Sequence, residues 1–357
     1  MTYLINLLTV PIYYFFLRVY MGSRQKAYSL FIWIVAIHAI LFRALSNPLN
    51  TPDGKSYDDA FKDLANWTFS ETVLTVNYYT EWGPAFLCWN WLVSRLSPTS
   101  DLFFILTSIV SVGGVMWFYK KTSYALLLTV FIYLLYPMTY LPAFYVLRQH
   151  LAVVFVMLAL YYYDNTKKFL AFSLIAALMH TSGIIMFPFY FWKRISLKSY
   201  MSPRIILYIL LGSVAFRLSV GFVMSIFSRY QAIYAGAEAN NNIVPIILIG
   251  SLVVLYGVTG LFNKIQCRID KMIVGFIVYG LVLSLVSFRL PGAGRLTLYH
   301  MYIYPVAIAL LYKYNQNKIL NNLYLCFMMV ITVIMVYLST DVRSYEYLFL
   351  WEDVVNR

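Results

Sequence analysis

The 357-residue chain is 62% hydrophobic and only 11% charged, and its 27 Lys and Arg residues outnumber its 14 Asp and Glu residues. Soluble domains carry about a quarter charged residues, so this composition excludes a water-soluble globular protein. Apolar runs of about 16 to 23 residues recur along the chain, and helices of that length cross a bilayer. The runs lack the apolar–polar alternation of transmembrane strands.

Hydropathy taken in chain order predicts ten membrane-spanning helices. They cover residues 2–18, 27–42, 102–119, 124–141, 147–163, 204–226, 243–262, 272–288, 296–312 and 319–338. Sixteen of the 27 basic residues lie in six clusters outside these runs or at their ends, at 18–26, 120–121, 167–168, 193–204, 264–271 and 313–318. Because basic loops stay in the cytoplasm, we predict that all six are cytoplasmic. The positive charge then reflects membrane orientation, and no nucleic-acid partner is predicted.

The apolar stretch 169–192 does not fit the pattern of an ordinary span. A single crossing would put the basic clusters at 167–168 and 193–204 on opposite sides of the membrane. A helical hairpin broken at His180-Thr181-Ser182-Gly183 keeps both ends in the cytoplasm, since the glycine and the hydroxyls accommodate a broken helix. We therefore predict an all-α polytopic membrane protein, one domain over 1–357, with about ten spans, this hairpin and both termini outside.

The segment 43–101 is the largest predicted outer loop and contains seven of the 14 acidic residues. Its second half carries apolar residues at helical spacing, namely Trp82, Phe86, Trp89, Val93 and Leu96. This pattern predicts an amphipathic helix over 81–96 that lies in the membrane interface. The helix is either a cover without a chemical role or a surface for a lipid-linked substrate.

Arginines dominate the basic residues outside the six clusters, with nine arginines among eleven. Arg148 opens a predicted span, and Arg289 and Arg295 flank an outer turn. Tyr299 follows one helical turn later, and Arg217 lies inside an apolar run. Each arginine alone is explained by contact with lipid headgroups or by an ion pair. Four at one membrane level make a polyanionic ligand an equal alternative, because guanidinium groups suit phosphate oxygens.

The cysteines and histidines indicate neither a metal site nor a disulfide framework. The three cysteines, Cys88, Cys267 and Cys326, follow no metal-ligand spacing. Among the histidines, His180 stands out because the predicted topology places it at a helix break within the membrane, although a structural role there is an equal alternative. We predict neither a metal site nor a cofactor.

Several short motifs occur in an order that resembles a known family. They are Asp53…Tyr57, Glu81-Trp-Gly-Pro-Ala-Phe, Arg148-Gln149, Ala176-Ala-Leu-Met-His180-Thr-Ser-Gly183 and Arg295…Tyr299. Together they resemble the EpsG-like branch of the Wzy polysaccharide polymerases over nearly the whole chain. The segment 148–188 is the most specific part of the resemblance.

The resemblance implies polymerisation of a repeating oligosaccharide of O-antigen or exopolysaccharide type. The growing glycan would move from undecaprenyl pyrophosphate onto the next lipid-linked unit. The reaction would need no metal or cofactor and would occur at the periplasmic or exterior face of a bacterial inner (cytoplasmic) membrane. The implied partners are the undecaprenyl-pyrophosphate-linked oligosaccharide, membrane lipid and a chain-length regulator.

This chemistry gives the arginines a role in holding pyrophosphate. Negative charge develops on the leaving pyrophosphate, and fixed arginines stabilise it. We select Arg148, Arg289 and Arg295 first, followed by Arg217 and Tyr299.

The acceptor hydroxyl must lose its proton as it attacks, which requires a general base. His180 is the first choice, and Glu81 and Asp53 are the alternatives. Two other functions stay open from sequence. One is a transporter or flippase of lipid-linked oligosaccharide, and the other is an O-antigen ligase.

Overall fold

The computed structural model describes residues 2–21, 24–51, 53–74, 79, 82–195, 211, 243–288 and 294–338. Every regular element in these ranges is a helix, which confirms the predicted all-α class. Within the described ranges, four helices are both long and apolar enough to cross a membrane, at Lys26–Ala44, Asp101–Thr122, Arg268–Val286 and Lys318–Met335. The count of ten spans stays a prediction, and the run 204–226 lies outside the described residues apart from Leu211.

The chain separates into two compact units, one formed by residues up to Ile184 together with those from Met329 onward, the other by Ile185–Met328. The helices of the first unit are α1 (Thr2–Met21), α2 (Arg24–Ala44), α3 (Gly54–Ala65), α4 (Pro84–Ser94), α5 (Asp101–Thr122), α6 (Leu126–Leu135), α7 (Pro142–Tyr145), α8 (Leu147–Tyr161) and α9 (Thr166–Met179). Helix α5 packs against both α2 and α8, and α8 also packs against α9. Long apolar helices thus form the centre of this unit.

The second unit contains α10 (Met186–Trp192), α11 (Ile243–Val258), α12 (Leu261–Lys264), α13 (Arg268–Val286), α14 (Gly294–Tyr314) and the first part of α15 (Lys318–Leu338). Helix α13 packs against α11 and α14. Tyr299, Tyr302 and Tyr304 of α14 are fully buried, and the Tyr304 hydroxyl lies 2.6 Å from that of Tyr324. Phenol hydroxyls in an apolar interior need such partners. The unit is therefore held by apolar packing with a few satisfied phenols.

The segment 43–101, called the outer loop after its predicted side, folds around α3 and α4. A π-helical segment, Ser70–Leu74, lies between them. The helix predicted over 81–96 begins later and ends earlier, because Gly83 has a φ of 85° and Pro84 occupies the first helical position. Phe86 is fully buried, whereas Leu96 is 71% exposed. Part of the predicted apolar face thus packs inside the loop. The location of this helix in the membrane interface stays a prediction.

The run 124–141 does not form one continuous helix. Helix α6 ends at Leu135, so it has ten residues and a length of about 15 Å, half of the hydrocarbon thickness. Pro137 cannot continue the backbone hydrogen bonds. The Thr139 hydroxyl donates to the carbonyls of Tyr133 and Tyr136 at 2.5 and 2.6 Å. These bonds satisfy the carbonyls that the helix end exposes.

The break predicted at 180–183 is present. Helix α9 ends at Met179, and His180 is extended with a φ of −153° and a ψ of 128°. A 3₁₀-helix, Thr181–Ile185, follows and leads into α10. The return of the chain to the same side of the membrane stays a prediction.

Candidate functional site

Arg148 lies in the first turn of α8. The chain reaches it through the short helix α7 and a bend at Val146, where φ is −99° and ψ is 56°. The guanidinium carbon of Arg148 lies 5.1 Å from the ring centre of Trp82, which belongs to the outer loop. This cation–π contact holds the guanidinium over the indole ring. The half-buried Arg148 is thereby tied to a segment far away in the sequence.

Tyr57 of α3 completes the aromatic side of the site. Its ring packs edge-on against Trp82 at 5.2 Å between ring centres, and the residue is only 3% exposed. Burial raises the pKa of Tyr57, while the charge and hydrogen bonding of Arg148 act in the opposite direction. The phenol therefore stays protonated at neutral pH and contacts Arg148 as a neutral group.

Asp53 stands immediately before α3 and is exposed to solvent. Its negative charge acts on the Tyr57 hydroxyl and raises the pKa of the phenol further. Asp53, Tyr57, Trp82 and Arg148 thus belong to one neighbourhood, which we call the outer arginine cluster. Glu81 adjoins Trp82 in the sequence and lies outside the described residues.

Gly83 joins the outer arginine cluster to the end of α9. Its φ of 85° is a backbone conformation that favours glycine. A Cβ atom here would press against the carbonyl oxygen of Leu178 and come within 3.3 Å of that of Met179. Only glycine allows this approach, and residue 83 therefore packs against the last turn of α9. His180 and the outer arginine cluster are thus linked through their sequence neighbours, Met179 on one side and Gly83 on the other.

His180 is almost fully buried, with 6% of its surface exposed. Its Nδ1 atom lies 2.6 Å from the Ser182 hydroxyl oxygen. The backbone N–H of Ser182 donates to the same Nδ1 at 3.2 Å. The imidazole orientation is therefore set by the residue two positions later in the chain.

The other sequence-predicted site residues belong to the second unit or lie outside the described residues. In the second unit, Arg295 is exposed in the first turn of α14, and Tyr299 is fully buried one turn later. Arg289 and Arg217 lie outside the described residues. Joint binding of pyrophosphate by these residues and Arg148 stays a prediction.

A fully buried arginine contacts α7, the short helix that precedes α8. Arg43 is 1% exposed, its Nε donates to the Ala143 carbonyl at 2.5 Å, and its guanidinium lies 5.3 Å from the Phe144 ring centre. Its charge acts on His150, which is fully buried. These contacts tie the end of α2 to the turn that precedes Arg148.

Sequence reasoning identified Arg148, Asp53 and His180 as site residues. It placed Tyr57 in a family motif without a role, and it gave the Ser182 hydroxyl a role only in accommodating the helix break. The four-residue spacing between Asp53 and Tyr57 was a usable signal, since residues that far apart are neighbours on a helix surface. For Ser182, the predicted helix break did not indicate a contact with the imidazole of His180. Its contact with Nδ1 depends on that extended residue.

The comparison with known families gives one result. The model of the EpsG family matches residues 31–350, a range that contains every site residue named above. This confirms the resemblance that the motifs suggested. Neither the curated proteins nor the solved structures contain a match to the chain.

Proposed function

The chain belongs to the EpsG family of membrane proteins of polysaccharide biosynthesis, and on that premise we propose that it is a polysaccharide polymerase. It transfers a growing glycan from undecaprenyl pyrophosphate onto a lipid-linked repeat unit. The transfer takes place at the outer face of the cytoplasmic membrane. Family membership supports a polymerase-like glycosyltransferase, and the substrate and the side of the membrane are parts of the proposal.

The observation that carries the proposal is the fixed position of Arg148. Cleavage of a sugar–pyrophosphate bond leaves negative charge on the pyrophosphate, and a pre-oriented guanidinium stabilises that charge as it develops. The guanidinium of Arg148 is held over the indole of Trp82, and the N–H donors of a guanidinium form a rigid planar fork. Such an arrangement presents donors in a fixed direction. Arg289, Arg295, Arg217 and Tyr299 are proposed as further pyrophosphate ligands.

The acceptor hydroxyl needs a base, and the sequence offers His180, Glu81 and Asp53. The structure supports a location near Arg148 for Asp53, through the shared contact with Tyr57. For His180, a location near Arg148 is supported by the contact of Gly83 with the end of α9. Glu81 is proposed from its position next to Trp82.

One experiment separates polymerase from the other candidate functions. Purified protein is incubated with a single defined undecaprenyl-pyrophosphate-linked repeat unit, and the products are resolved by length. A ladder of glycan lengths is expected. Transfer to a lipid A core without a ladder would identify a ligase, and unchanged substrate that is moved across a vesicle membrane would identify a transporter.

A further inference from the structure

The two hydrogen bonds at Nδ1 determine which nitrogen of His180 carries a proton. A backbone N–H is always a donor, so Nδ1 presents its lone pair to Ser182. The nearby Ser182 hydroxyl can donate to the same lone pair. A neutral imidazole has one protonated nitrogen, and here that nitrogen is Nε2. In this tautomer Nε2–H is a hydrogen-bond donor and has no lone pair in the ring plane to accept a proton.

The local backbone stabilises this tautomer. Ser182 lies at the start of the 3₁₀-helix, where backbone N–H groups have no partner within the helix, and Nδ1 serves as a cap. The Gly183 N–H donates to the His180 carbonyl at 2.8 Å and closes the turn. A Cβ atom at Gly183 would lie 2.7 Å from the Ala176 carbonyl oxygen, so the turn packs directly on α9. Rotating the ring to free Nδ1 would break both contacts with Ser182.

We propose that His180 donates a hydrogen bond from Nε2–H to a pyrophosphate oxygen of the lipid-linked donor and does not take the acceptor proton. The proposal rests on the proposed function, because it assigns a role within that site. Phosphate oxygens only accept hydrogen bonds, so a fixed neutral N–H complements them. Arg148 supplies the positive charge nearby, and His180 adds a directed donor.

The reaction step balances without a proton on Nδ1. The acceptor hydroxyl oxygen bonds to the anomeric carbon, and the bond from that carbon to the pyrophosphate oxygen breaks. The electron pair stays on the pyrophosphate, where His180 and Arg148 stabilise it. The hydroxyl proton goes to a carboxylate, Glu81 or Asp53. His180 keeps its proton throughout.

Two substitutions separate the two nitrogens of His180. His180→Asn places an amide oxygen where Nδ1 was, so it preserves an acceptor for Ser182 and lacks a donor at the Nε2 position. His180→Gln places an amide N–H where Nε2 was and lacks the acceptor. Initial rates of ladder formation are measured for both, alongside wild type and His180→Ala. Monodisperse behaviour in detergent and the thermal midpoint establish that each variant is folded.

The expected result is a loss of about tenfold or less for His180→Gln and of about a hundredfold for His180→Asn and His180→Ala. Near-normal activity of His180→Asn would overturn the proposal in favour of a structural role. Gln and Asn variants that are both inactive, or both active, would overturn it as well.

The dependence of kcat/KM on pH gives a second readout. A base at His180 would produce a fall in rate toward low pH that disappears in His180→Gln. The proposal predicts the same acidic profile for both proteins, and loss of that fall in the variant would contradict it. Failure of the wild-type protein to form a ladder would refute the proposed function itself. If the wild-type protein is active but His180→Asn is faster than His180→Gln, only this inference is refuted.

Discussion

Arg148 in the first unit is a half-buried charged side chain and Asp270 in the second a buried one, and the two are held in different ways. Asp270 is 1% exposed and accepts hydrogen bonds from the Lys313 ammonium at 2.6 Å and the Tyr314 hydroxyl at 2.7 Å. Arg148 is half-buried and is held by the face of Trp82 and by Tyr57. Asp270 is matched by an opposite charge, whereas the contacts described for Arg148 are with aromatic groups.

The origin of the partners differs as well. Lys313 and Tyr314 are adjacent in the sequence at the end of α14, so one helix end supplies both partners of Asp270. Tyr57 and Trp82 come from the outer loop, far from α8 in the sequence. The direction of Arg148 therefore depends on correct folding of that loop. We expect changes around Asp270 to affect stability and changes around Arg148 to affect activity.

The largest expected effect is that of Arg148→Lys. Lysine keeps the positive charge and loses the planar group that stacks on Trp82 and binds phosphate with two prongs. Initial rates of ladder formation should fall about a hundredfold, with membrane insertion unchanged. Arg289→Lys and Arg295→Lys are expected to lower the rate in the same way. Full polymer production by all three variants would contradict the pyrophosphate assignment.

Arg95 provides a matched control in the same loop. Its guanidinium also stacks on an indole, with its carbon 5.2 Å from the Trp91 ring centre, but its Nη2 donates to the Ala65 carbonyl at 2.5 Å at the end of α3. This is the contact of a helix cap. Arg95→Lys should leave the rate within a few-fold of wild type.

The next effect concerns the contact between Gly83 and α9. Gly83→Ala adds a Cβ atom against the Leu178 carbonyl and strains a backbone with φ of 85°. Activity should fall more than tenfold because Trp82 and the turn at His180 are pushed apart. Gly260→Ala is the control, since Gly260 has a φ of 66° and nothing within 4 Å of a Cβ. It should lower the thermal midpoint slightly and leave activity unchanged; equal activity losses in both variants would show that the Leu178 contact is unimportant.

A smaller effect is expected for the indole itself. Trp82→Leu removes the aromatic face under Arg148, and a cation–π contact of about 1 kcal/mol corresponds to roughly a fivefold loss in kcat/KM. Trp82→Phe keeps an aromatic face and should recover most of that loss. If the leucine and phenylalanine variants were equally active, the ring would act by filling space and not by orienting Arg148.

Two features of the fold could be predicted from sequence because they follow from the membrane itself. Apolar length predicted the long helices, and the distribution of basic residues led to the break at His180. The short helix α6 was missed, because hydropathy records only that 124–141 is apolar. Its early end depends on Pro137 and on hydrogen bonds of Thr139 to the exposed carbonyls.

The internal packing of the outer loop was beyond sequence reasoning for a different reason. Helical spacing in α4 revealed an apolar face. The spacing did not indicate whether that face packs against protein or against lipid. Phe86 packs against Tyr57 of α3, at 5.8 Å between ring centres, and that partner is 29 positions earlier. Long-range contacts of this kind leave no periodic signal. The candidate site was therefore predictable as individual residues but not as an assembled cluster.

The smallest effect on activity is expected at the Asp270 side of the comparison. Lys313→Met removes the ammonium and leaves a buried carboxylate with the Tyr314 hydroxyl as its remaining described partner. Breaking a buried ion pair from one side costs about 3 kcal/mol or more, so the thermal midpoint in detergent should fall by several degrees. Lys313→Met together with Asp270→Asn removes both charges and should recover part of that loss, because no uncompensated charge remains. The rate of ladder formation below the unfolding temperature should stay within twofold of wild type in both variants. A tenfold loss of activity without a change in the thermal midpoint would mean that the second unit's ion pair takes part in the reaction and that stability and activity are not divided between the two charged sites.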